Sequence, residues 1–375
     1  MKQHSLFFIL SLFSIVIHAQ EEGTKSHFTD GFEYGAAYYF DGMYNIYGGH
    51  ATGFGHAGMG LVEINWNSNQ AQLWNGTNVF ISISPLHSSA PSDELTGDFQ
   101  GISNIDAGGN YICFQELWIQ QQIFTASLSI GLQDANALFA ISEKGTLFLN
   151  GSFGVPSLIA ENAIAPLFPL TSLGIHLEIP INKDISFNSG IYDGCPKDFE
   201  TNPHNISWKL SEHDGMLSMN ELVISHQSGY NKIGMFYHSG ISTYNESEET
   251  YESIFENNYG IYAITDQEIW NNSENSKSIS TFVQLAVSPQ QTNEHNTYIG
   301  GGVVFEGFDS KQLSEFGIAV AHAQQKLETE TETAIECTYA YKVTPHISIQ
   351  PDIQYIINES ISNACVGIMR CSIEF

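Results

Sequence analysis

The sequence is poor in positive charge. Only 12 Lys and Arg residues stand against 41 Asp and Glu, so the formal net charge is −29 over 375 residues. Nucleic acids and anionic lipid headgroups are bound by basic surfaces. The composition therefore argues against nucleic acid as a partner and against docking on anionic headgroups. In a channel, the same balance would repel anions and favour neutral or cationic solutes.

Long hydrophobic runs are missing after the amino terminus. The apolar stretch from Leu6 to Ile17, with Lys2 before it and Ala19 after it, is typical of a secretory signal peptide. A membrane-spanning helix needs about 20 apolar residues, so no later segment is expected to cross a bilayer as a helix. We expect residues 1–19 to be the signal peptide and residues 20–375 to form one outer-membrane β-barrel domain. A soluble exported protein is the alternative.

Charged residues of either sign are scarce. They make up 14% of the chain, whereas ordinary soluble domains carry about 25%. Aromatic residues and glycine are abundant, with 24 Phe, 17 Tyr and 33 Gly. A lipid-facing belt flanked by girdles of aromatic residues would account for this composition.

Cysteine is also scarce, and its count of five is odd. In an oxidising compartment at least one thiol therefore lacks an intrachain partner. Cys365 and Cys371 lie six residues apart, too far along one strand for a direct bridge. The spacing of Cys113, Cys195 and Cys337 from these two does not resemble a zinc site. Buried or lipid-facing thiols are expected, with intermolecular disulfide cross-links as the alternative.

The carboxyl terminus alternates in polarity, as a β-strand with one apolar face does. One side would carry Met369, Cys371, Ile373 and Phe375, and the other Arg370, Ser372 and Glu374. A terminal strand that ends in an aromatic residue is what bacterial outer-membrane barrels present to their assembly machinery. We therefore expect that machinery to recognise the strand ending at Phe375.

Similar alternation recurs along the chain. Residues 347–357 have an apolar and a polar face, and residues 173–191 contain two alternating runs around a turn at 182–184, as in a hairpin. A membrane strand uses about 9–11 residues, so with its connection each strand takes roughly 20–24 residues. The expected fold is an all-β, transmembrane, antiparallel β-barrel of about 16 strands.

Motifs for catalysis and cofactor binding are missing. The glycine-rich stretch from Gly48 to Gly58 contains His50 and His56 but neither a Lys-Ser/Thr ending nor an acidic metal ligand, so we interpret it as a turn region between early strands. No GxSxG motif occurs in the sequence. We expect no catalytic residue, cofactor or metal, and no enzymatic activity.

Several segments resemble, in the same order, those of the carbohydrate-selective porins of the OprB type. The resemblance is carried by Thr96–Ala107, Glu116–Trp118, Leu147–Pro156, FPLTSLGIHL from Phe168, GIYDGCP from Gly190, Asn202–His204, NKIGMFYHSG from Asn231, GIYAITDQEIW from Gly260 and VTPHISIQPDIQYI from Val343. It implies a 16-stranded barrel in the outer membrane of a Gram-negative-type bacterium. Carbohydrates and other small neutral solutes would diffuse passively through it, past a loop that narrows the lumen.

A sugar path needs hydrogen-bonding groups for hydroxyls and aromatic faces for the ring, without binding so tight that the solute cannot leave. Residues of these types cluster in the matching segments, and we take them as constriction candidates: Asp98, Gln100, Asn104, Asp106, Glu116, Trp118 and Gln120. The last three would share a strand face. Two other interpretations stay open, in which the Asp98 and Asp106 regions are turns and Trp118 belongs to an aromatic girdle.

The chain departs from the family at Tyr111–Phe114, before the Glu-Leu-Trp motif. Members are often basic there, but this stretch carries no positive charge. Without arginine, the polarised recognition of sugar hydroxyls is weaker.

Other functions and partners stay open at this stage. The acidic stretch Ser247–Glu256 suits a solvated loop, so a plugged structural or adhesive barrel with acidic surface loops is the alternative function. A soluble β-sandwich lectin is a third hypothesis. The expected partners are small carbohydrates, outer-membrane lipid and the assembly machinery. Homo-oligomers are common among porins of this size, but no oligomer seam is evident in the residues.

Overall fold

Sixteen antiparallel strands close into a barrel in which the first strand pairs with the last. The computed structural model describes residues 27–245, 250–272, 276–288, 295–309, 313–325 and 331–375. The barrel strands are β1 Phe32–Tyr47, β2 Gly53–Asn67, β3 Thr77–Ser88, β4 Tyr111–Ile123, β5 Ala126–Gln133, β6 Ser172–Pro180, β7 Ile185–Asp193, β8 Met216–His226, β9 Gly229–His238, β12 Asn258–Asn272, β13 Lys277–Val287, β14 His295–Glu306, β15 Ser314–Gln325, β16 Thr331–Thr344, β17 Ile347–Asn358 and β18 Ala364–Glu374. The expected all-β barrel of about 16 strands is confirmed. The expected signal peptide, residues 1–19, lies outside the described residues.

A separate hairpin, β10 Ile241–Asn245 with β11 Thr250–Phe255, stands between β9 and β12. It corrects part of the loop expected at Ser247–Glu256, because residues 250–255 pair with β10 along their backbone. Residues 247–249 lie outside the described part of the chain.

Helical structure is confined to short pieces in the connections. The α-helices are α1 Gly151–Gly154 and α2 Ser157–Ala163, and there are single turns at His27–Gly31, Ser92–Thr96, Ala135–Ala137 and Gly145–Leu147. Within the described ranges, no helix has the length and apolar character to cross a membrane.

The strands alternate between a buried inner face, which carries polar and apolar residues, and an exposed apolar outer face. On β17, Gln354 is fully buried inside the barrel, whereas its neighbours Ile353 and Tyr355 are exposed on the outer surface. On β18, Arg370 is buried and Phe375, just beyond the strand, is exposed. The predicted alternation of lumen-facing and lipid-facing residues is therefore confirmed.

The glycine-rich stretch is a turn only over residues 48–52, because β2 begins at Gly53. This corrects the interpretation of the whole stretch as a turn. The later glycines leave room for neighbouring rings: a Cβ at Gly58 would lie 2.1 Å from Nε2 of His87, the residue paired with it on β3. Glycine here therefore serves packing within the sheet rather than chain reversal.

All five cysteines are free. Cys113 is buried, and Cys365 and Cys371 share the outward face of β18, as expected from their spacing. No disulfide therefore contributes to barrel closure within the chain.

Connections of different length occupy the two ends of the barrel. The start of β1 and the end of β18 lie at one end, where Ala37 pairs with Glu374, and several turns there are short, such as residues 124–125, 227–228 and 345–346. The connections 89–110, 134–171 and 194–215 at the other end are much longer. Short periplasmic turns and longer extracellular loops are the usual arrangement in such barrels.

Two of the long connections enter the lumen. Apolar side chains from both pack against the inner wall and are fully buried, among them Ile102, Phe139, Phe148, Phe153 and Leu158. The main hydrophobic core of the described residues therefore lies inside the barrel, between the inserted segments and an inner wall that runs from β7 through β18 to β1 and β2. We call residues 98–107 the first lumen segment and residues 134–171 the second lumen segment.

Candidate permeation path

Acidic side chains on the inner wall hold the second lumen segment by its backbone. Glu336 of β16 accepts hydrogen bonds from the backbone N–H groups of Leu149 (2.6 Å) and Asn150 (3.0 Å). Glu221 of β8 accepts one from the N–H of Ala140 at 2.9 Å. These carboxyl groups satisfy irregular backbone that the sheet cannot reach.

The same arrangement continues around the barrel. Asp266 of β12 accepts hydrogen bonds from the hydroxyl of Ser142 (2.7 Å) and the N–H of Lys144 (2.9 Å). The Lys144 ammonium in turn lies 2.7 Å from the carboxylate of Glu306 on β14. The second lumen segment is thus attached to β8, β12, β14 and β16 across the width of the lumen.

The first lumen segment is attached in the same way. Glu332 of β16 is fully buried and accepts hydrogen bonds from the backbone N–H groups of Phe99 and Gln100, both at 3.1 Å. Gln354 of β17 donates from Nε2 to the carbonyl of Ile102 at 2.9 Å. A segment of irregular backbone inside a barrel is stable only when its polar groups are paired, and the wall supplies the partners.

A cavity of about 680 Å³ lies between the lumen segments and the β1–β4 side of the wall. The wall contributes Tyr39, Glu63, Ser82 and Glu116, and the second lumen segment contributes Asp134 together with small and apolar residues. The lumen is therefore filled on one side by the apolar core and open on the other.

A β-bulge in β4 sets the orientation of two lining residues. Ser82 of β3 pairs with Glu116 and Ile83 pairs with Phe114, so Gln115 is an extra residue in β4. Bulges re-aim side chains, and here both Gln115 and Glu116 line the cavity. The carboxylate of Glu116 accepts a hydrogen bond from Nε1 of Trp118 at 3.1 Å.

Four of the seven constriction candidates line this cavity, namely Gln100, Asn104, Asp106 and Glu116. Asn104 Oδ1 accepts a hydrogen bond from the guanidinium of Arg370 at 2.8 Å. Asp106 Oδ1 accepts from the Ser88 hydroxyl at 2.5 Å and from the Gly108 N–H at 2.9 Å. Asp106 therefore both forms a turn, as one of the two interpretations expected, and lines the cavity.

The other three candidates lie outside the cavity lining. Asp98 is buried beside Glu332, accepts a hydrogen bond from the Thr96 hydroxyl, and has a raised pKa because burial removes water from the carboxyl group. Trp118 stacks on Phe80 with ring centroids 5.1 Å apart.

Gln120 donates from Nε2 to the hydroxyl of Ser129 at 3.2 Å and accepts from Asn78 at 3.1 Å. With the Trp118 indole donating to Glu116, the structure places Glu116, Trp118 and Gln120 on one inner face of β4. They form a ladder that continues from the cavity toward the end of the barrel with the short turns.

One part of the wall is closed by a connection rather than by a strand. β4 pairs with β3 along Tyr111–Gln121 but with β5 only along Leu117–Ile123. Residues 199–208 of the β7–β8 connection cover the unpaired edge, and we call them the sealing segment. His204 accepts at its backbone oxygen from the Phe114 N–H at 3.1 Å.

Three residues of the sealing segment make further contacts that hold it. Nδ1 of His204 donates to the carbonyl of Ile112 at 2.7 Å. Asn205 Nδ2 donates to the carbonyls of Phe114 (3.3 Å) and Thr171 (3.1 Å). The Phe199 and Tyr111 rings stack with centroids 4.2 Å apart. The segment thus replaces both the ladder and the cross-strand packing that β5 would have supplied.

The wall carboxylates that hold the lumen segments were not among the predicted site residues. A usable signal was present, because Glu332 and Glu336 are charged residues on the inner face of an alternating strand. Asp266 on β12 and Glu221 on β8 follow the same pattern. Within the described ranges, no group of three His, Cys, Asp or Glu side chains could hold a metal ion.

A closed barrel with inserted loops, a polar inner face and an apolar outer face defines the class of outer-membrane porins. Residues 51–375 match the family described as carbohydrate-selective porin, OprB family. The chain belongs to that family. It is an outer-membrane porin for carbohydrates of a Gram-negative bacterium, and the alternative of a plugged or adhesive barrel is not favoured.

Known proteins similar to this chain are porins. Porin B of Pseudomonas aeruginosa is 20% identical over 335 residues, covering 76% of this chain and 72% of that protein. The high-pH structure of Pseudomonas putida OprB superposes with a TM-score of 0.79 at 16% identity, covering 92% of this chain and 95% of that one. Its low-pH structure gives a TM-score of 0.60 at 15% identity, with coverage of 92% and 93%. At these identities the structures show the shared fold.

Proposed function

We propose that carbohydrates cross this porin by passive diffusion through the cavity between the lumen segments and the β1–β4 wall. One observation carries the proposal: the open part of the lumen is bordered on both sides by hydrogen-bonding side chains, from β1–β4 and from the inserted segments. Sugar hydroxyls lose hydrogen bonds to water when they enter a narrow pore, and such side chains replace them. Exchange between several weak partners lets the solute leave again.

Within this path, the constriction candidates take different roles. Gln100, Asn104, Asp106 and Glu116 contact the solute, because they line the cavity. Trp118 offers an aromatic face to the apolar side of a sugar ring, and the neighbouring Gln120 offers an amide group. Asp98 supports the first lumen segment rather than the solute, since it is buried behind the cavity surface.

The proposal includes no chemical step on the solute and no cofactor, so the protein acts as a channel and not as an enzyme. It also includes three partners besides sugars. Outer-membrane lipid covers the apolar outer face, and the assembly machinery recognises β18 through its exposed terminal residue Phe375. Further copies of the chain associate with it as a homo-oligomer or through intermolecular disulfides of the outward-facing thiols Cys365 and Cys371.

The test is solute permeation into liposomes that contain the refolded protein. We expect glucose to cause faster swelling than a neutral amino acid of similar size, and a disaccharide to be slower than glucose. Equal rates for glucose and the amino acid would reduce the protein to a general porin. An absence of swelling with a folded barrel would support the plugged barrel.

A matched pair of variants tests the path itself. Glu116 and Trp118 have a counterpart in sequence spacing at Glu268 and Trp270 of β12, whose side chains are exposed. Replacing both members of the first pair by Ala is expected to reduce the preference for glucose. The same change at Glu268 and Trp270 is expected to leave it unchanged, because these side chains do not line the cavity.

A further inference from the structure

The cavity has an excess of negative charge. Four carboxylate residues line it, namely Glu63, Asp106, Glu116 and Asp134. Among the described residues that line it, Arg370 is the one base. The four carboxylates come from β2, from the two lumen segments and from β4.

The charge of Arg370 is already compensated. Its guanidinium donates from Nε and from a terminal nitrogen to the two carboxylate oxygens of Asp41, each at 2.7 Å. The same terminal nitrogen donates to Oδ1 of Asn104 at 2.8 Å. Asp41 is fully buried, so the pair is formed away from bulk water and contributes little net charge to the cavity. None of the four lining carboxylates therefore has a free basic partner among the residues that line the cavity.

A second, independent observation indicates a polar solute at the same place. Oε1 of Gln100, Oγ of Ser84 and Oγ of Ser157 have no hydrogen-bond partner among the described residues. All three residues line the cavity and are more than nine-tenths buried. Buried polar groups are normally satisfied, so unpaired groups around a space indicate that its occupant supplies the partners.

Aromatic residues complete the surface. Tyr39, Phe99 and Phe168 line the cavity between the polar groups. A hexose ring has an apolar face that packs on aromatic rings and hydroxyls that pair with amide and hydroxyl groups. An ammonium group on the ring adds three donors and the positive charge that the carboxylates lack. The surface therefore matches an amino sugar more completely than it matches a neutral sugar.

We propose that this cavity selects sugars that carry a protonated amine, hexosamines such as glucosamine, over neutral hexoses of the same size. The proposal rests on the proposed function, since it names the sugar class that the same path prefers. Glu116 and Glu63 are its specificity-determining residues, because they are fixed on strands at the cavity surface. The ammonium passes from one carboxylate to the next, and this succession avoids a single tight site that would trap the solute.

The experiment measures tracer uptake into proteoliposomes with equal salt inside and outside, so that no membrane potential forms. Labelled glucosamine, glucose and N-acetylglucosamine are compared at about pH 7, where most of the glucosamine amine is protonated and Asp134, whose pKa burial raises to about 6, is ionised. Glucosamine is expected to permeate about threefold or more faster than glucose, because unscreened carboxylates raise the local cation concentration. N-acetylglucosamine, which lacks the charge, is expected to be no faster than glucose.

Substitutions of Glu by Gln, which remove the charge and keep the shape, test whether the preference for glucosamine arises in the cavity. Glu116→Gln keeps an oxygen that can accept the Trp118 hydrogen bond, so the side chain position is retained, and Glu63→Gln provides a second site. Each change is expected to lower the ratio of glucosamine to glucose permeation toward one. Glu268→Gln removes the same charge from an exposed position outside the cavity and is expected to leave the ratio unchanged.

Three outcomes would overturn the inference. In the unmodified protein, equal permeation rates for glucosamine and glucose would contradict the inference. The proposed function would still hold if glucose permeates faster than the size-matched amino acid. Equal acceleration of triethanolammonium, a cation of similar size without a sugar ring, would show general cation selectivity instead. An unchanged ratio in both Glu116→Gln and Glu63→Gln would remove these residues from the mechanism. Loss of glucose preference over the amino acid would instead contradict the proposed function.

Discussion

Arg370 and Asp41 are directly paired residues of β18 and β1, and their side chains form a two-point ion pair across the closure of the barrel. Both N–O distances are 2.7 Å, and both side chains face the lumen with little exposure to water. The pair joins residues 329 positions apart in the sequence. The last strand of the chain is thus fixed to the first strand by charge as well as by backbone hydrogen bonds.

Removing one partner of this pair should destabilise the barrel. We predict that Arg370→Ala lowers the free energy of unfolding by about 3–5 kcal/mol, because the carboxylate of Asp41 is left buried and unpaired. The measurement is equilibrium unfolding by urea in lipid vesicles. Lys183→Ala breaks the exposed contact of Lys183 with Asp184, 3.8 Å long, and should change stability by less than about 0.5 kcal/mol. A similar effect of the two substitutions would contradict the role given to the closure pair.

The wall carboxylates should control how far the pore is filled. Glu336→Ala removes the acceptor for the Leu149 and Asn150 N–H groups, so we predict that the second lumen segment becomes mobile. Single-channel conductance should then rise and become noisier. Glu268→Ala, at an exposed position, is the control. Unchanged conductance of Glu336→Ala in a correctly folded barrel would mean that the apolar core alone holds the segment.

The sealing segment should depend on Asn205. We predict that Asn205→Ala costs about 1–3 kcal/mol locally, because buried carbonyls of Phe114 and Thr171 lose their donor. Hydrogen exchange, followed by mass spectrometry, should become faster in residues 111–116. Asn75→Ala, in an exposed turn, should not alter exchange there. Protection of residues 111–116 in both variants would show that the backbone contact with His204 is sufficient.

The pH dependence of stability should carry a contribution from Asp134. Burial raises the pKa of its carboxyl group from 3.8 to about 6 in the folded protein. Between about pH 4 and pH 6 the folded state holds a proton that the unfolded chain has released, so the free energy of unfolding falls as the pH rises through this range. Above about pH 6 the loss is complete and the contribution is constant.

The measurement compares unfolding of the unmodified protein and Asp134→Asn across this pH range, so that the other carboxylates cancel. Raising the pH from 4 to 7 is expected to destabilise the unmodified protein by about 1–2 kcal/mol relative to the variant, less than the full shift implies because the cavity admits water. If the free energies of unfolding of the two proteins change equally with pH, the ionisation of Asp134 does not contribute to the pH dependence of stability.

The barrel could be predicted because its signals are local. Alternation of polar and apolar residues along 347–357 and 369–375 depends only on the two-residue period of a strand, and the hairpin at 173–191 depends on its own turn. The segment Thr96–Ala107 could likewise be associated with the narrowed lumen through its resemblance to a family. What these signals could not give is the position of each side chain once the loops fold back.

The candidate site shows which residues the local signals could predict and which they could not. Gln100 and Glu116 were expected together and do line one cavity, but Asp98 lies behind its surface. The bulge at Gln115 arises from pairing with β3, so no property of the β4 sequence alone identifies it. The anchoring of Gln100 by Glu332 joins residues 232 positions apart.

The sequence by itself determined export, an all-β barrel of about 16 strands, its outward apolar face and its shortage of positive charge, because composition and the strand period do not depend on distant partners. Only the tertiary structure decided that Glu332 and Glu336 hold backbone inside the lumen, that residues 199–208 close the wall, and that Arg370 is neutralised by Asp41. The physical reason is that closing the barrel brings distant residues into hydrogen-bonding range. Whether a carboxylate holds a loop or lines the cavity depends on which residues the folded chain places next to it.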